Sequence, residues 1–190
     1  MSQNLRNYVK SVYTLDAVVQ RAPQRGWDAA SPCDGWTARQ VLGHYLWGMK
    51  RTIALVNGTE HPAVQAEADV AGSDPNATWA ALRDTVLEAL DQPGVLDQVV
   101  AGPFGDMELD AYLNLPIMDG LLHAWDIATS FGQDAYLPPD LAAVGAAMIA
   151  SFGDGARRPG LFGPEVEVPA DADSVTRFVA AAGRSPRRVG

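Results

Sequence analysis

The stretch Asp119-Gly-Leu-Leu-His123-Ala-Trp-Asp126 places three polar side chains at helical spacing inside an otherwise apolar run. Residues four apart stack on one face of a helix, so Asp119 and His123 point the same way, and Asp126 lies about one turn further along. A carboxylate and an imidazole that face a core need a polar partner or a ligand. Either the two side chains hydrogen-bond to each other, or they share a metal ion with a third ligand from elsewhere in the chain.

The search for a third ligand is short because the sequence contains three histidines. His61 lies between Glu60 and a proline in a polar, turn-like segment, which favours a solvated surface position. His44 lies in an apolar helical run, where Gly43 and Gly48 would let another backbone or a ligand approach closely. His44 is therefore the candidate third ligand, and the set would contain two imidazoles, one carboxylate and open coordination positions.

Length and composition limit the class of protein. A chain of 190 residues is expected to form a single domain over 1–190 with its own hydrophobic core. One cysteine excludes an internal disulfide framework, and the first residues lack the pattern of a signal peptide, so we expect a cytoplasmic protein. No apolar run reaches the roughly 20 residues that a membrane span needs.

The charge of the chain argues against nucleic acid as a partner. The formal net charge is −9 and the pI is about 4.6, whereas affinity for nucleic acid comes mainly from a basic face that neutralises phosphates. The basic cluster Arg184, Arg187 and Arg188 lies at the extreme C-terminus, where a solvated tail is expected.

Hydrophobic periodicity predicts an all-α fold with four long amphipathic helices, which is typical of a four-helix bundle. The second helix has the strongest start signal, the capping box Thr37-Ala-Arg-Gln40. Pro116 lies inside the fourth helix and predicts a kink, or a helix that restarts after Asn114. The predicted spans run from Leu5 to a stop at Pro23, from Thr37 to about Val56, from Asp74 to a stop at Pro93, and from about Glu108 to Phe131.

The predicted bundle core covers residues 1–132, and residues 133–190 are expected to form a C-terminal extension packed on it. The extension should contain two small helices, the first with Leu141, Val144, Met148 and Phe152 facing inward and the second beginning at Asp173-Ser174. Glu165–Val168 alternates with period two and could form one short strand. The polar segment 59–73 is predicted to be a connection of about fifteen residues, a length often found in binding loops, and residues 95–107 read as strand or irregular structure.

Three segments resemble the mycothiol-dependent maleylpyruvate isomerase N-terminal-like family of the DinB/YfiT-like metalloproteins. They are Ser31-Pro-Cys-Asp-Gly-Trp-Thr37 followed by His44, the stretch from Asp119 to Ala128, and Ala182-Gly-Arg-Ser-Pro186. The resemblance implies a DinB-like four-helix bundle with a divalent metal ion, zinc first and nickel, iron or manganese as alternatives. It implies that the ligands are His44, Asp119 and His123, with aspartate where the isomerase carries glutamate.

The resemblance also implies chemistry on a small-molecule thiol and an electrophilic substrate, with mycothiol as the thiol and an actinobacterial source. Such a protein would be a thiol-dependent transferase or isomerase. The metal could instead activate water for hydrolysis, or it could be structural in a non-catalytic bundle that serves as a binding or dimerisation module. The long amphipathic helices would accommodate a homodimer.

Two further residues are candidate catalytic groups. Asp126 could orient a ligand histidine or a polar substrate, or it could bond a nearby indole or arginine and serve only the fold. Arg184 could fold back to the pocket and grip a carboxylate with both guanidinium nitrogens, or it could be solvated or salt-bridged. Cys33 precedes the helix cap, and we expect a buried structural thiol there and not a metal ligand.

Overall fold

The protein is mainly helical in a computed structural model that describes residues 1–63, 66–103, 105–157 and 161–186. The all-α prediction is confirmed, with one small two-stranded sheet in addition among the described residues. Within those residues, no helix is both long enough and apolar enough to cross a bilayer. The helices are α1 (Gln3–Arg21), α2 (Ala38–Asn57), α3 (Glu67–Ala71), α4 (Pro75–Leu90), α5 (Leu109–Tyr112), α6 (Asn114–Ser130), α7 (Pro139–Ser151) and α8 (Ser174–Ala181).

Four of these helices form the bundle. α1 packs against α6 and α4, and α2 packs against the same two helices, so α1 and α2 lie diagonally opposite each other. Large side chains from all four helices meet in one buried core, including Tyr8, Leu15, Leu46, Trp79 and Leu121. This arrangement places one face of α2 directly beside one face of α6.

The start of α2 is fixed as its sequence predicts. The Thr37 hydroxyl accepts a hydrogen bond from the Gln40 backbone N–H at 3.3 Å, and the Gln40 side chain accepts one from the Thr37 N–H at 2.9 Å. These reciprocal bonds satisfy two backbone donors that a helix otherwise leaves free. At the other end Gly58 adopts a left-handed conformation (φ 60°) that closes the helix.

The break before α6 also follows the sequence. α5 ends at Tyr112 and α6 begins at Asn114, so the helix is interrupted at Leu113, three residues before Pro116. Proline fits the first turn of a helix because the backbone N–H that it lacks has no partner there. α6 then runs unbroken through the polar stretch from Asp119 to Asp126.

The predicted loop 59–73 is wrong in one respect, because it contains the short helix α3, which packs on α2. Gly43 permits this contact. A Cβ atom at Gly43 would lie 1.7 Å from the backbone oxygen of Glu67, so only glycine lets the two backbones approach this closely. The expected close approach at Gly43 is therefore confirmed, while a Cβ at Gly48 would meet nothing within 4 Å.

The sheet lies in the region 95–107 that was predicted as strand or irregular structure, and not at Glu165–Val168. β1 (Val99–Gly102) and β2 (Gly105–Glu108) pair as an antiparallel hairpin, with Val100 opposite Met107. Residues 165–168 form no strand; the Val166 N–H donates one hydrogen bond to the Ala180 carbonyl. Alternation in four residues does not form a strand here because, within the described ranges, no second strand runs beside them to accept a ladder of hydrogen bonds.

The extension packs through small residues, which corrects the predicted inward face of α7. Val144 is half-exposed, and the buried positions are Leu141, Ala142, Gly145 and Ile149. A Cβ at Gly145 would lie 2.5 Å from the Phe178 ring, so the missing side chain makes room for that ring of α8. Arg187 and Arg188 of the predicted basic tail lie outside the described residues.

Candidate functional site

The candidate site lies where α2 and α6 face each other. α2 contributes His44, and α6 contributes Asp119 and His123, which stack on one helical face because they are four residues apart. One ligand atom from each side chain lies within 4.8 Å of the corresponding atoms of the other two. The three residues proposed from the sequence as metal ligands therefore converge, although His44 lies 75 positions from Asp119 in the chain.

The carboxylate of Asp119 lies between the two imidazoles. His123 Nε2 is 3.2 Å from Asp119 Oδ1, and His44 Nε2 is 3.7 Å from Asp119 Oδ2. The two rings meet edge to face, with centroids 5.4 Å apart. His123 is buried, whereas the side chains of His44 and Asp119 are 41% and 33% exposed, so the cluster opens to solvent on one side.

A buried ion pair lies on the Nδ1 side of the His123 ring. Its Nδ1 lies 3.0 Å from Asp126 Oδ2. Arg184 then donates from Nη2 to Asp126 Oδ2 at 2.9 Å and from Nε to Asp126 Oδ1 at 3.2 Å. Asp126 is fully buried and Arg184 is 6% exposed, so both charges are removed from water and satisfied by each other.

This geometry gives the partners of Asp126 and Arg184, the two candidate catalytic groups. Asp126 bonds both the candidate ligand His123 and Arg184, so both of the contacts predicted for it are present, while its catalytic role stays a prediction. Arg184 is salt-bridged and buried, and the expectation of a solvated tail is wrong for this residue. Its Nη1 also donates to the Ala182 carbonyl two residues earlier at 2.9 Å, and its pair with Asp126 ties this segment to α6.

The electrostatics of the cluster favour opposite charge states for the two imidazoles. Burial alone would lower the pKa of His123, but the carboxylates of Asp119 and Asp126 outweigh it and raise that pKa to about 9. Burial lowers the pKa of His44, although Asp119 opposes the shift. Burial alone would raise the pKa of Asp119, yet His123 and His44 bring it well below its usual range. Without a metal ion, the cluster therefore pairs a carboxylate with a protonated His123 and a neutral His44.

Three residues that the sequence did not assign to the site surround it. The Trp36 ring meets the His44 ring with centroids 5.3 Å apart. The Cys33 thiol is half-buried and lies close enough to Arg184 for its charge to act on it; burial raises the pKa of this thiol and Arg184 opposes the shift. Glu67 of α3 similarly acts on His44. Of these three, Cys33 and Trp36 lie in the segment Ser31–Thr37 that carries the family resemblance. The position of Glu67 was indicated in the sequence by Gly43, where α3 packs on α2.

An open cleft lies beside the Asp126–Arg184 pair. It has a volume of about 370 Å³, and its lining includes the Ser31, Thr129 and Ser185 side chains, the Trp125 indole and Arg184. Ser31 lies two residues before Cys33, so the loop that precedes α2 forms one wall. The cleft thus places hydroxyl groups and one aromatic ring close to the buried pair that supports His123.

The donor set fits a divalent transition metal ion. Two imidazole nitrogens and one carboxylate oxygen are the ligands that zinc and similar ions take in catalytic sites, where further positions remain open. The hydrogen bond between Asp126 and His123 Nδ1 leaves Nε2 free to coordinate, as outer carboxylates do in many metal sites. In the described residues the Nε2 atoms of both imidazoles face the Asp119 carboxylate, at 3.2 Å from His123 and 3.7 Å from His44.

Comparisons with known proteins agree with this architecture. A family model described as the Mycothiol maleylpyruvate isomerase N-terminal domain matches residues 10–128, a span that contains the three candidate ligands and Asp126. Uncharacterized protein Rv0738 and Uncharacterized protein MT0763, from two strains of Mycobacterium tuberculosis, are each 28% identical to this chain over 169 residues. Each match covers 88% of this chain and 88% of the relative.

A solved structure shares the fold. The crystal structure of a histidine-to-alanine mutant of the mycothiol-dependent maleylpyruvate isomerase superposes with a TM-score of 0.60 at 18% sequence identity. The match covers 77% of this chain and 68% of that chain. At this identity the likeness establishes the helical architecture alone.

Proposed function

Since the chain belongs to the Mycothiol maleylpyruvate isomerase N-terminal domain family, we propose that it binds a divalent metal ion and catalyses thiol-dependent transfer or isomerisation on a small electrophile. The proposal rests chiefly on one observation, the convergence of His44, Asp119 and His123 within 4.8 Å at a solvent-facing opening of the bundle. Zinc is the first candidate ion, and mycothiol, named in the family description, is the first candidate thiol.

Each side chain has a defined task in this proposal. His44, Asp119 and His123 would hold the ion, which when bound would lower the pKa of a thiol and favour the nucleophilic thiolate at neutral pH. Asp126 fixes the ring and tautomer of His123. Arg184 acts through Asp126, since both of its bonds to that carboxylate are already made, and it is a positioning residue.

The opening of the site supports access by a small molecule. His44 and Asp119 face solvent, whereas His123 and Asp126 are buried, so a ligand would approach from the His44 side. The 370 Å³ cleft beside Arg184 offers hydroxyl groups and the Trp125 ring to the polar body of a thiol. Four of its eight lining residues are polar, Ser31, Thr129, Arg184 and Ser185, and on that ground we assign the cleft to the polar part of the thiol.

Elemental analysis of the untagged protein tests the metal half of the proposal. About one divalent ion per chain is expected in the wild type, and little or none in the His44→Ala and His123→Ala variants. His61→Ala is the matched control because His61 is the remaining histidine and is exposed in a segment away from the cluster. A wild-type protein that holds no metal and takes up neither zinc nor nickel would refute the site.

A turnover assay tests the thiol half. The protein is incubated with mycothiol and 1-chloro-2,4-dinitrobenzene, and the consumption of free thiol is followed. The wild type should exceed the uncatalysed rate, and the two site variants should not. A metal-loaded protein that leaves thiol consumption unchanged across a panel of such electrophiles, yet hydrolyses ester or amide substrates, would overturn this half while leaving the metal site intact.

A further inference from the structure

Gly120 lies between the candidate ligands Asp119 and His123 in the sequence of α6, and two buried hydroxyl groups occupy the space that a side chain there would take. A Cβ atom at Gly120 would lie 2.7 Å from Ser11 Oγ and 2.8 Å from Tyr45 Oη. Ser11 is fully buried and Tyr45 is 2% exposed, so neither hydroxyl has solvent to move into. Glycine is therefore the residue that fits at position 120 while both hydroxyls stay in place.

Both hydroxyls bond to the backbone of α6 itself. Ser11 Oγ donates to the Ile117 carbonyl at 2.9 Å, and Tyr45 Oη donates to the Pro116 carbonyl at 3.3 Å. A backbone carbonyl has two lone pairs, so each of these oxygens can also accept the N–H four residues later in the helix. One side chain of α1 and one of α2 are thus bonded to consecutive carbonyls of α6. We call these two hydroxyls, the two carbonyls and Gly120 the hydroxyl contact.

The hydroxyl contact adjoins the candidate metal site on two helices. Tyr45 directly follows His44 on α2. Gly120 directly follows Asp119 on α6, so on each helix the contact lies about 100° around the axis from a candidate ligand. His44 Nε2 lies 3.7 Å from Asp119 Oδ2 across the same two helices. Because a side chain moves with the backbone that carries it, a shift of α6 against α2 at the hydroxyl contact would change this separation.

We propose that Gly120 is a positioning residue of the metal site: by admitting the Ser11 and Tyr45 hydroxyls, it holds α6 at the distance from α2 that the three candidate ligands require. Consecutive carbonyls lie about 100° apart around the helix axis, so bonds to both of them oppose rotation of α6 as well as its displacement. The inference rests on the proposed function and deepens it, since it names the contact that sets the spacing of that site.

Gly120→Ala tests the proposal, and Gly145→Ala is its matched control. Both substitutions add one methyl to a buried helical glycine, and at Gly145 the methyl would lie 2.5 Å from the Phe178 ring in the extension. Both should unfold at a lower urea concentration than the wild type, because each methyl overlaps a buried group. Only Gly120→Ala should also bind zinc more weakly, by about tenfold in competition with a chromophoric chelator, as happens when the support of a ligand is lost.

The metal-free protein gives a second readout. The His44 and His123 rings meet edge to face with centroids 5.4 Å apart, so their ring protons should give a nuclear Overhauser cross-peak. This cross-peak should weaken in Gly120→Ala and persist in Gly145→Ala. Tyr45→Phe removes one bond without adding an atom, so it should fold, and it should lower the zinc affinity by about threefold. It decides the question if Gly120→Ala does not fold.

The outcomes separate this inference from the proposed function. If the wild type binds zinc, unchanged affinity in Gly120→Ala, or in Tyr45→Phe where Gly120→Ala does not fold, would overturn the positioning role. An equal loss of zinc affinity in Gly145→Ala would also overturn it, since lower stability alone would then explain the effect. A wild type that binds no zinc, with a cross-peak that weakens in Gly120→Ala and not in Gly145→Ala, would refute the metal site and uphold the role of Gly120 in placing α6.

Discussion

Replacing Asp126 by asparagine should separate the two roles of the buried pair. The substitution conserves shape but removes the negative charge that faces Arg184, which is only 6% exposed. Breaking a buried pair by neutralising one partner costs about 3–5 kcal/mol, because the other charge stays buried without compensation. For a chain of this size that corresponds to a drop in Tm of about 10 °C. The affinity for metal should fall about 10- to 100-fold, because His123 loses the carboxylate that orients it.

The double variant Asp126→Asn, Arg184→Met provides the decisive comparison. Replacing Arg184 as well removes the unpaired guanidinium and should restore most of the stability, because a buried ion pair can often be replaced by apolar groups at little cost. Metal affinity should stay low, because the carboxylate behind His123 is still missing. Stability is measured by urea unfolding of the metal-free protein, and affinity by competition with a chromophoric chelator. Asp140→Asn, which removes an exposed partner of Lys10, is the control and should change neither quantity.

Two outcomes would refute this reasoning. If Asp126→Asn unfolds at the wild-type urea concentration, the Asp126–Arg184 pair does not hold the chain end on the bundle. If the single and double variants bind metal as tightly as the wild type, Asp126 does not set the orientation of His123. A double variant that regains both properties would mean that stability alone had limited the metal affinity.

Three further predictions concern His123, Gly43 and Thr37. In the metal-free protein the imidazole of His123 should titrate by NMR near pH 9; because this folded-state pKa exceeds the ordinary 6.5, its contribution to stability is fully present below about pH 6.5 and is lost as the pH rises through 9. Urea unfolding of Gly43→Ala should show a loss of about 1–3 kcal/mol, because the new methyl would overlap the Glu67 backbone, whereas Gly48→Ala, with open space, should gain up to about 1 kcal/mol from helix propensity. Thr37→Ala should cost about 1 kcal/mol by the same measurement, and an unchanged midpoint would contradict the role of the capping box.

Features set within a few residues of the chain could be predicted from the sequence. The capping box at Thr37 and the break before Pro116 depend on hydrogen bonds and steric contacts within one helical turn. The pairing of Asp119 with His123 has the same origin, because positions four apart face the same way on any α-helix. His44 followed from a choice among three histidines, with which the family resemblance agreed, although no local pattern connects it to α6.

Contacts between distant segments were decided by the tertiary structure. Arg184 reaches Asp126 across 58 positions, Glu67 lies against Gly43 because α3 packs on α2, and Arg51 of α2 lies over the ring of Tyr112 in α5. No periodicity encodes these pairs, since each depends on how helices dock after the intervening loops close. The sequence by itself therefore determined which side chains each helix presents, and the packing of the helices alone decided which of those side chains meet.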